Sequence, residues 1–212
     1  IETGVACFAP GLLPPFIAAT HSLARGESAA GQELGERVKG VAKPDSVVII
    51  FYDSVAATAP LRLHPASPLV DGFYRGLEGL PVTLIGGGML TDLNLSDGWV
   101  LDGSGVSKHS AVAVVLPPHV AATTAILHGC RPVSTFMEIT RVEGAEIYEL
   151  DGQPAVEVLE RMLGMRLGTS NAHDLSLIAT LGEKHGDPFA PYDENAYVNR
   201  LILRANQSTG SI

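Results

Sequence analysis

The sequence predicts an α/β fold in which a mixed sheet packs against helices. A continuous run of β-branched and aromatic residues at 47–52 is typical of a buried central strand. A helical pattern follows it, and then a second short apolar run at 80–85, which is the strand–helix–strand order of a βαβ unit. Beyond residue 98, apolar runs alternate with glycine-containing turns, which predicts antiparallel hairpins.

Two helices are expected in the first half of the chain. The first begins near Ser28 or earlier, carries apolar residues at helical spacing and ends at Gly40. The second has Ser67 as its N-cap and Pro68 as its first helical residue, and it continues to about Glu78.

The second half is expected to contain strands and one helix. The predicted hairpins pair 99–101 with 106–116 and 136–140 with 145–150, further strands cover 121–128 and 197–204, and 175–181 forms a short apolar segment. A helix is predicted to start at about Pro154 and to end at Gly164. Helices packed on a sheet of both parallel and antiparallel strands follow from this order.

Composition limits the class of protein. Of the 212 residues, 46% are hydrophobic and 17% are charged, which is typical of a folded globular chain and not of a disordered one. Acidic residues outnumber basic ones by 23 to 14, giving a net charge of −9. Because nucleic-acid binding needs a basic surface, we expect no nucleic-acid partner.

The spacing of the cysteine, histidine and proline residues indicates the cellular compartment and the cofactors to expect. The two cysteines show no CxxC spacing and the seven histidines show no metal-ligand spacing, so neither a metal nor another cofactor is predicted. Prolines interrupt the apolar stretch at 4–19, which argues against a signal peptide or a membrane span. A reducing cytoplasm is therefore expected. Because the chain starts at Ile1 and its last residues resemble a turn entering a strand, we also expect a piece of a longer protein.

A ligand site is predicted where two strands end. The three glycines Gly86, Gly87 and Gly88 follow a strand, where backbone amides can approach a phosphate or carboxylate, although a plain tight strand exit is the simpler explanation. Asp53 and Ser54 follow the neighbouring strand. Asp92, just beyond the glycines, completes this candidate group, which is listed here in full as Asp53, Ser54, Gly86, Gly87, Gly88 and Asp92.

A second candidate group surrounds Cys130. Its neighbours Arg131 and His128 are able to lower a thiol pKa and produce a nucleophile, whereas a buried, inert cysteine is the simpler alternative. Arg131 is also a candidate for binding a carboxylate through two parallel hydrogen bonds, because its planar guanidinium matches that geometry.

The middle of the chain resembles the FIST family of intracellular signal-transduction sensors. The resemblance lies in the segments HGCRPV at 128–133, EITRVEG at 138–144 and IYELDGQPA at 147–155, in that order and spacing. The strand at 47–52 and VTLIGGG at 82–88 are compatible with the family's N-terminal segment. Cys130 replaces an aromatic residue of the family pattern, and Ser134 replaces a glycine.

The resemblance implies a cytoplasmic sensor that binds small ligands such as amino acids and signals to a partner protein or an attached domain. It implies no catalytic motif. Residues 1–150 would form the N-terminal sensor domain, and 151–212 a linking helix with the start of a truncated C-terminal segment.

Sensing of an amino acid or a small carboxylate is therefore the leading hypothesis for function. An enzyme that uses Cys130 as a nucleophile, or the Gly86–Gly88 segment for a phosphate ester, is the alternative, and a scaffold that only recruits partners is a third.

Overall fold

The computed structural model describes residues 14–92, 95–124, 130–168, 179–187, 189–193 and 196–212. They belong to two compact units, one up to Thr124 and one from residue 125 onwards. Helices, parallel strands and antiparallel strands all occur, so the predicted α/β class with a mixed sheet is confirmed. The proposed functional division between 150 and 151 stays a prediction.

The first unit is built around a four-stranded sheet. Its strands in chain order are β1 (Phe16–Thr20), β2 (Ser46–Asp53), β3 (Val55–Thr58), β4 (Leu61–Leu63), β5 (Val82–Met89), β6 (Val100–Leu101), β7 (Val106–Ser107) and β8 (Ala111–Val115). The sheet has the order β1-β8-β2-β5, in which β2 and β5 are parallel and the other pairs antiparallel. The parallel pair confirms the predicted βαβ unit, and β1 was not predicted.

Two helices cover the sheet, α1 (Glu27–Lys39) and α2 (Ala66–Leu77), and a 3₁₀ turn (Leu23–Arg25) precedes α1. The core contains Leu34 of α1 and Phe73 of α2, both fully buried, together with Val48 and Ile50 of β2. These two β2 side chains are two residues apart and so lie on the same face of the sheet.

The two helices cross at unusually short range because glycines line the contact. Gly31 and Gly35 of α1 face Gly72 and Gly76 of α2. A Cβ atom at Gly31 would lie 2.9 Å from the carbonyl carbon of Leu69, where the closest ordinary van der Waals contact is 3.4 Å. Backbone therefore packs against backbone, and no larger residue fits without separating the helices.

Three predicted boundaries in the first unit are wrong. Helix α2 starts at Ala66, and its N-cap is Pro65 and not Ser67, because Pro65 has an extended backbone and the helical conformation begins at the next residue. The predicted strand at 106–116 is broken between β7 and β8, since His109 has the left-handed φ of +48°. The described part of the predicted strand at 121–128, residues 121–124, is irregular, and 125–128 lie outside the described residues.

The three glycines are part of a strand and not of a loop. In the parallel register, Gly86, Gly87 and Gly88 of β5 pair with consecutive residues of β2, beginning at Ile50. The strand predicted at 80–85 therefore ends too early, because glycine is uncommon inside strands. Among the described strands, β5 lies at the edge of the sheet and pairs with β2 alone.

The second unit contains two hairpins and a helix. Its elements are β9 (Ile139–Glu143), β10 (Glu146–Leu150), β11 (Gln153–Pro154), α3 (Ala155–Leu163), β12 (Thr180–Lys184) and β13 (Tyr197–Leu201). The predicted hairpin at 136–150, the helix ending at Gly164 and the strand beginning at Tyr197 are confirmed, with shifted bounds. Of the apolar segment at 175–181, residues 175–178 lie outside the described residues.

The final residues of the chain form the expected turn. Asn206 and Ser211 form an antiparallel bridge, and Ile212 exchanges two backbone hydrogen bonds with Ile147, each 2.9 Å long. Among the described residues, no helix is both long enough and apolar enough to cross a bilayer.

Candidate functional site

A cleft of about 630 Å³ opens in the first unit. It is bounded by the 3₁₀ turn, the first residues of α1, the β3–β4 hairpin and the break between β7 and β8. The ionisable side chains that line it are Arg25, Glu27, Arg62, His64 and His109. Apolar residues complete the lining, so the cleft presents both charged and apolar surface; they are Leu23, Ala24, Ala56, Leu63 and Pro65.

Local backbone geometry places the charged residues. Gly26 joins the 3₁₀ turn to α1 with a φ of +138°, which glycine adopts readily and other residues do not. The adjacent Arg25 and Glu27 both reach the cleft, and Arg62 reaches it from β4. Within the described ranges, neither arginine side chain forms a salt bridge, but the charge of Arg62 acts on Glu27 and that of Arg25 acts on Glu33. No side chain caps the start of α1.

His64 links the acidic side of the cleft to a second histidine. Its Nδ1 lies 2.8 Å from Oε1 of Glu27, and its Nε2 lies 3.1 Å from Nδ1 of His109. The two imidazole rings meet edge to face at an angle of 79°. His64 is 4% exposed, whereas His109 is half-buried, so the hydrogen-bonded series Glu27–His64–His109 ends at the cleft.

Glu27 is ionised at neutral pH. Burial by itself raises the pKa of this carboxyl, but the hydrogen bond and charge interaction with His64, together with the positive charge of Arg62, outweigh it, so the pKa lies below its usual value. A carboxylate at this position requires a hydrogen-bond donor from His64.

Two of the predicted site residues, Asp53 and Ser54, lie directly behind the histidines. The buried Asp53 carboxylate accepts hydrogen bonds from the backbone N–H groups of Val55, at 2.9 Å, and His109, at 2.7 Å. The Ser54 carbonyl accepts the backbone N–H of His64 at 2.9 Å. Asp53 and Ser54 thus hold both histidines through their backbones, and direct contact with a ligand stays a prediction for them.

Gly86, Gly87, Gly88 and Asp92 lie on or beyond β5, next to β2. Gly88 packs against Ser54 so closely that a Cβ atom would also lie 3.0 Å from the Tyr52 ring. Asp92 is exposed and accepts hydrogen bonds from the backbone and hydroxyl of Ser96, at 3.1 and 2.5 Å. Of these residues and Asp53 and Ser54, none lines the cleft, and ligand binding by them stays a prediction.

Cys130 and Arg131 belong to the second unit. The Tyr192 hydroxyl donates to the Cys130 carbonyl at 3.0 Å, and the Thr180 hydroxyl lies 3.9 Å from the half-buried sulfur. Arg131 lines an open depression of about 460 Å³ with Pro132 and Tyr192. A nucleophilic role for Cys130 and carboxylate binding by Arg131 stay predictions.

A third group has the residue types of a hydrolase triad. His21 Nδ1 lies 2.9 Å from the Ser110 hydroxyl, and its Nε2 lies 3.5 Å from the Asp102 carboxylate. However, Ser110 is fully buried and donates its proton to the Lys108 carbonyl at 2.8 Å. Hydrogen bonds, chiefly from Ser104, hold the pKa of Asp102 well below its usual range. These contacts hold the β6–β7 turn together.

The residues of the cleft are not predictable from local sequence patterns. Glu27, His64 and His109 are far apart in the chain and match no motif, and the left-handed backbone of His109 has no local signature in the sequence. In the part of the chain that the structure describes, no group of three His, Cys, Asp or Glu side chains is arranged to hold a metal.

Comparison with known proteins agrees with the fold. The family model of the FIST N domain matches residues 5–153, which is more than two thirds of the chain. No curated protein and no solved structure shows a significant match. The matched segment contains the whole of the cleft and of its β-sheet support. The chain therefore belongs to the FIST family of signal-transduction sensor domains.

Proposed function

We propose that this domain senses a small anionic metabolite, an amino acid or a related carboxylate, and that the ligand binds in the cleft between α1 and the β3–β4 hairpin. The observation that carries the proposal is the presence of two arginines, Arg25 and Arg62, at one cleft without ion-pair partners among the described residues.

The chemistry of the cleft favours a carboxylate. Each guanidinium is able to donate two parallel hydrogen bonds to a carboxylate, which is stronger than a contact with a single ammonium group. The uncapped start of α1 adds backbone N–H groups and the positive end of a helix dipole. A volume of about 630 Å³ lies within the usual range of about 300–1,000 Å³ for small-molecule sites.

Signalling would follow from ligand contacts to separate elements. Arg25 belongs to the 3₁₀ turn and Arg62 to the β3–β4 hairpin, so one carboxylate bound to both guanidinium groups draws these elements together. Such a shift would be read by a signalling partner or an attached domain in the cytoplasm. We assign no catalytic step to the domain; rapid, pH-dependent labelling of the Cys130 thiol would favour the enzyme alternative.

A binding screen tests the proposed function. Thermal-shift measurements over the standard amino acids and small carboxylates identify candidates, and isothermal titration then measures their affinities. A ligand at 100 times its Kd stabilises the domain by about 2.7 kcal/mol. We expect Arg25→Ala and Arg62→Ala each to weaken binding about tenfold or more.

The matched control is Lys43→Ala, which removes one positive charge from an exposed side chain of the same unit outside the cleft. This variant should bind like the parent protein. Equal losses in all three variants would mean that only net charge matters, and no binding by the folded parent protein would refute the proposal.

A further inference from the structure

Resting on the proposed function, we infer that His109 Nε2 is a hydrogen-bond acceptor for the ligand, and that Glu27 and His64 act as positioning residues that fix its tautomer. The site therefore prefers a ligand with an amino group beside its carboxylate over the same acid without the amino group. The inference depends on counting the protons in the Glu27–His64–His109 series.

The first proton lies between Glu27 and His64. The ionised carboxylate has no proton to give, so the 2.8 Å contact requires His64 to donate from Nδ1. A neutral imidazole carries a single N–H group. In neutral His64, Nε2 is therefore an acceptor.

The second proton lies between the two histidines. The 3.1 Å contact of His64 Nε2 with His109 Nδ1 needs one N–H group, and neutral His64 has already used its own towards Glu27. His109 must donate from Nδ1. Neutral His109 then has a bare lone pair on Nε2.

This lone pair has no hydrogen-bond partner among the described residues. His109 lines the cleft and is half-buried, and no described residue forms a hydrogen bond with its Nε2. An acceptor beside two arginines matches a ligand that has a cationic donor near a carboxylate, as α-amino acids do. An acid without that donor would leave the Nε2 lone pair facing its carboxylate, which is repulsive.

Two hydrogen bonds hold the backbone of His109 in place. The backbone N–H of His109 donates to Asp53 Oδ2 at 2.7 Å, and its carbonyl accepts the Leu23 N–H at 3.1 Å. The left-handed φ of +48° at His109 is also tolerated by asparagine, so His109→Asn removes the imidazole with little backbone strain.

The inference sets the direction of the pH dependence. Of the charged groups around His109, Arg25 and Arg62 oppose a further positive charge, whereas the Glu27 and Asp53 carboxylates favour it. The titratable His64 contacts His109 at Nδ1. Histidines commonly gain a proton between pH 8 and 5. A proton on Nε2 converts the acceptor into a donor, so acid weakens binding of the amino acid and strengthens binding of the simple acid.

Nuclear magnetic resonance tests the tautomer directly. Long-range ¹H–¹⁵N correlation spectra of the chain resolve the imidazole nitrogens of its seven histidines, assigned by single substitutions. At pH 7.5 we expect His64 and His109 both to be protonated on Nδ1 and bare on Nε2. A His109 proton on Nε2 at this pH overturns the inference. Glu27→Ala should release the His64 tautomer, and Glu27→Gln, which retains an acceptor oxygen, should restore it.

Titration calorimetry tests the selectivity. The probes are L-amino acids paired with the same acid lacking the amino group, such as L-alanine with propionate and L-glutamate with glutarate. At pH 7.5 we expect the preferred amino acid to bind at least about tenfold more tightly than its partner, and the ratio to fall at pH 5.5. His109→Asn should abolish the preference, while the matched control His119→Asn, an exposed histidine of the same unit, should retain it.

The outcomes separate the two proposals. Binding with no preference for the amino group, or a preference that survives His109→Asn, overturns the inference and leaves the proposed function intact. If no probe binds to the folded chain, the proposed function fails and the role of His109 towards a ligand fails with it, whereas the spectra still decide the tautomer.

Discussion

Replacing Gly72 by alanine tests the close crossing of α1 and α2. A Cβ atom at this position would lie 2.9 Å from the carbonyl carbon of Ser28 and 3.0 Å from the backbone nitrogen of Gln32, with the Ser28 carbonyl oxygen closer still. Ordinary van der Waals contact begins at 3.4 Å. The two backbones must therefore move apart by at least 0.5 Å, the difference between 3.4 and 2.9 Å. No side-chain rotation relieves the overlap, because all the atoms involved belong to the backbone.

Two opposing effects decide how Gly72→Ala changes the free energy of unfolding. Alanine gains about 1 kcal/mol over glycine in helix propensity. Overpacking costs about 1–3 kcal/mol where side chains can adjust, and more where they cannot. Separation of the helices also loosens the contacts of Phe73, which is fully buried between them and the sheet. Because only backbone atoms are involved, we expect the upper end of this difference, a net loss of about 2 kcal/mol.

Urea unfolding followed by tryptophan fluorescence measures this loss. The chain has a single tryptophan, Trp99, which belongs to the first unit, so the signal reports on the unit that contains the mutation. The control is Gly40→Ala at the end of α1, where φ is −61° and the nearest atom to a Cβ lies 3.4 Å away. This variant should be as stable as the parent or slightly more so. If Gly72→Ala has the same unfolding midpoint as Gly40→Ala, the reasoning is refuted.

Two further predictions concern the edge strand and the second unit. In the same urea assay, Gly86→Ala should destabilise the first unit by about 2 kcal/mol, because φ is +141° and a Cβ atom would lie 2.8 Å from the Ile50 carbonyl carbon. The control Gly87→Ala should be nearly neutral, because a Cβ atom at Gly87 would meet open space. Glu160 accepts hydrogen bonds from the Leu167 backbone, Gln207 and Arg166, which lower its pKa. The stabilisation of the folded state by the Glu160 carboxylate is therefore fully present above the unfolded-state pKa of about 4.3, and it is lost as the pH falls through the lower folded-state pKa. Circular dichroism in an acid titration should show a smaller loss of structure for Glu160→Gln below pH ~4.3 than for the parent protein, and identical acid profiles would contradict this assignment.

Local patterns in the sequence were sufficient for most of the fold. The apolar run at 47–52 predicted β2, because a strand covered by helices needs apolar side chains along its length. Gly164 predicted the end of α3, since its left-handed φ of 66° is the usual helix-ending conformation of glycine. Strand β1 was missed because it pairs with β8, a partner about ninety residues away that no local pattern reveals.

The candidate site was less predictable. Asp53 and Ser54 were correctly placed at the end of β2, and the structure puts them behind the cleft histidines. The prediction failed to include His64 and His109, because a solitary histidine in a sequence carries no information about which distant residue it contacts. Gly86–Gly88 illustrate the opposite error, since a segment rich in glycine was interpreted as a loop before its pairing with β2 was known.

The sequence by itself determined the α/β class, the βαβ unit, the acidic character and the family, because these depend on local periodicity, composition and ordered motifs. Only the tertiary structure decided which residues meet at the cleft of the first unit. The series Glu27–His64–His109 forms when the start of α1, the residue after β4 and the break before β8 meet at one cleft. Hydrogen bonds of 2.8 and 3.1 Å require positions that the packed helices and sheet alone fix, and chain order does not specify them.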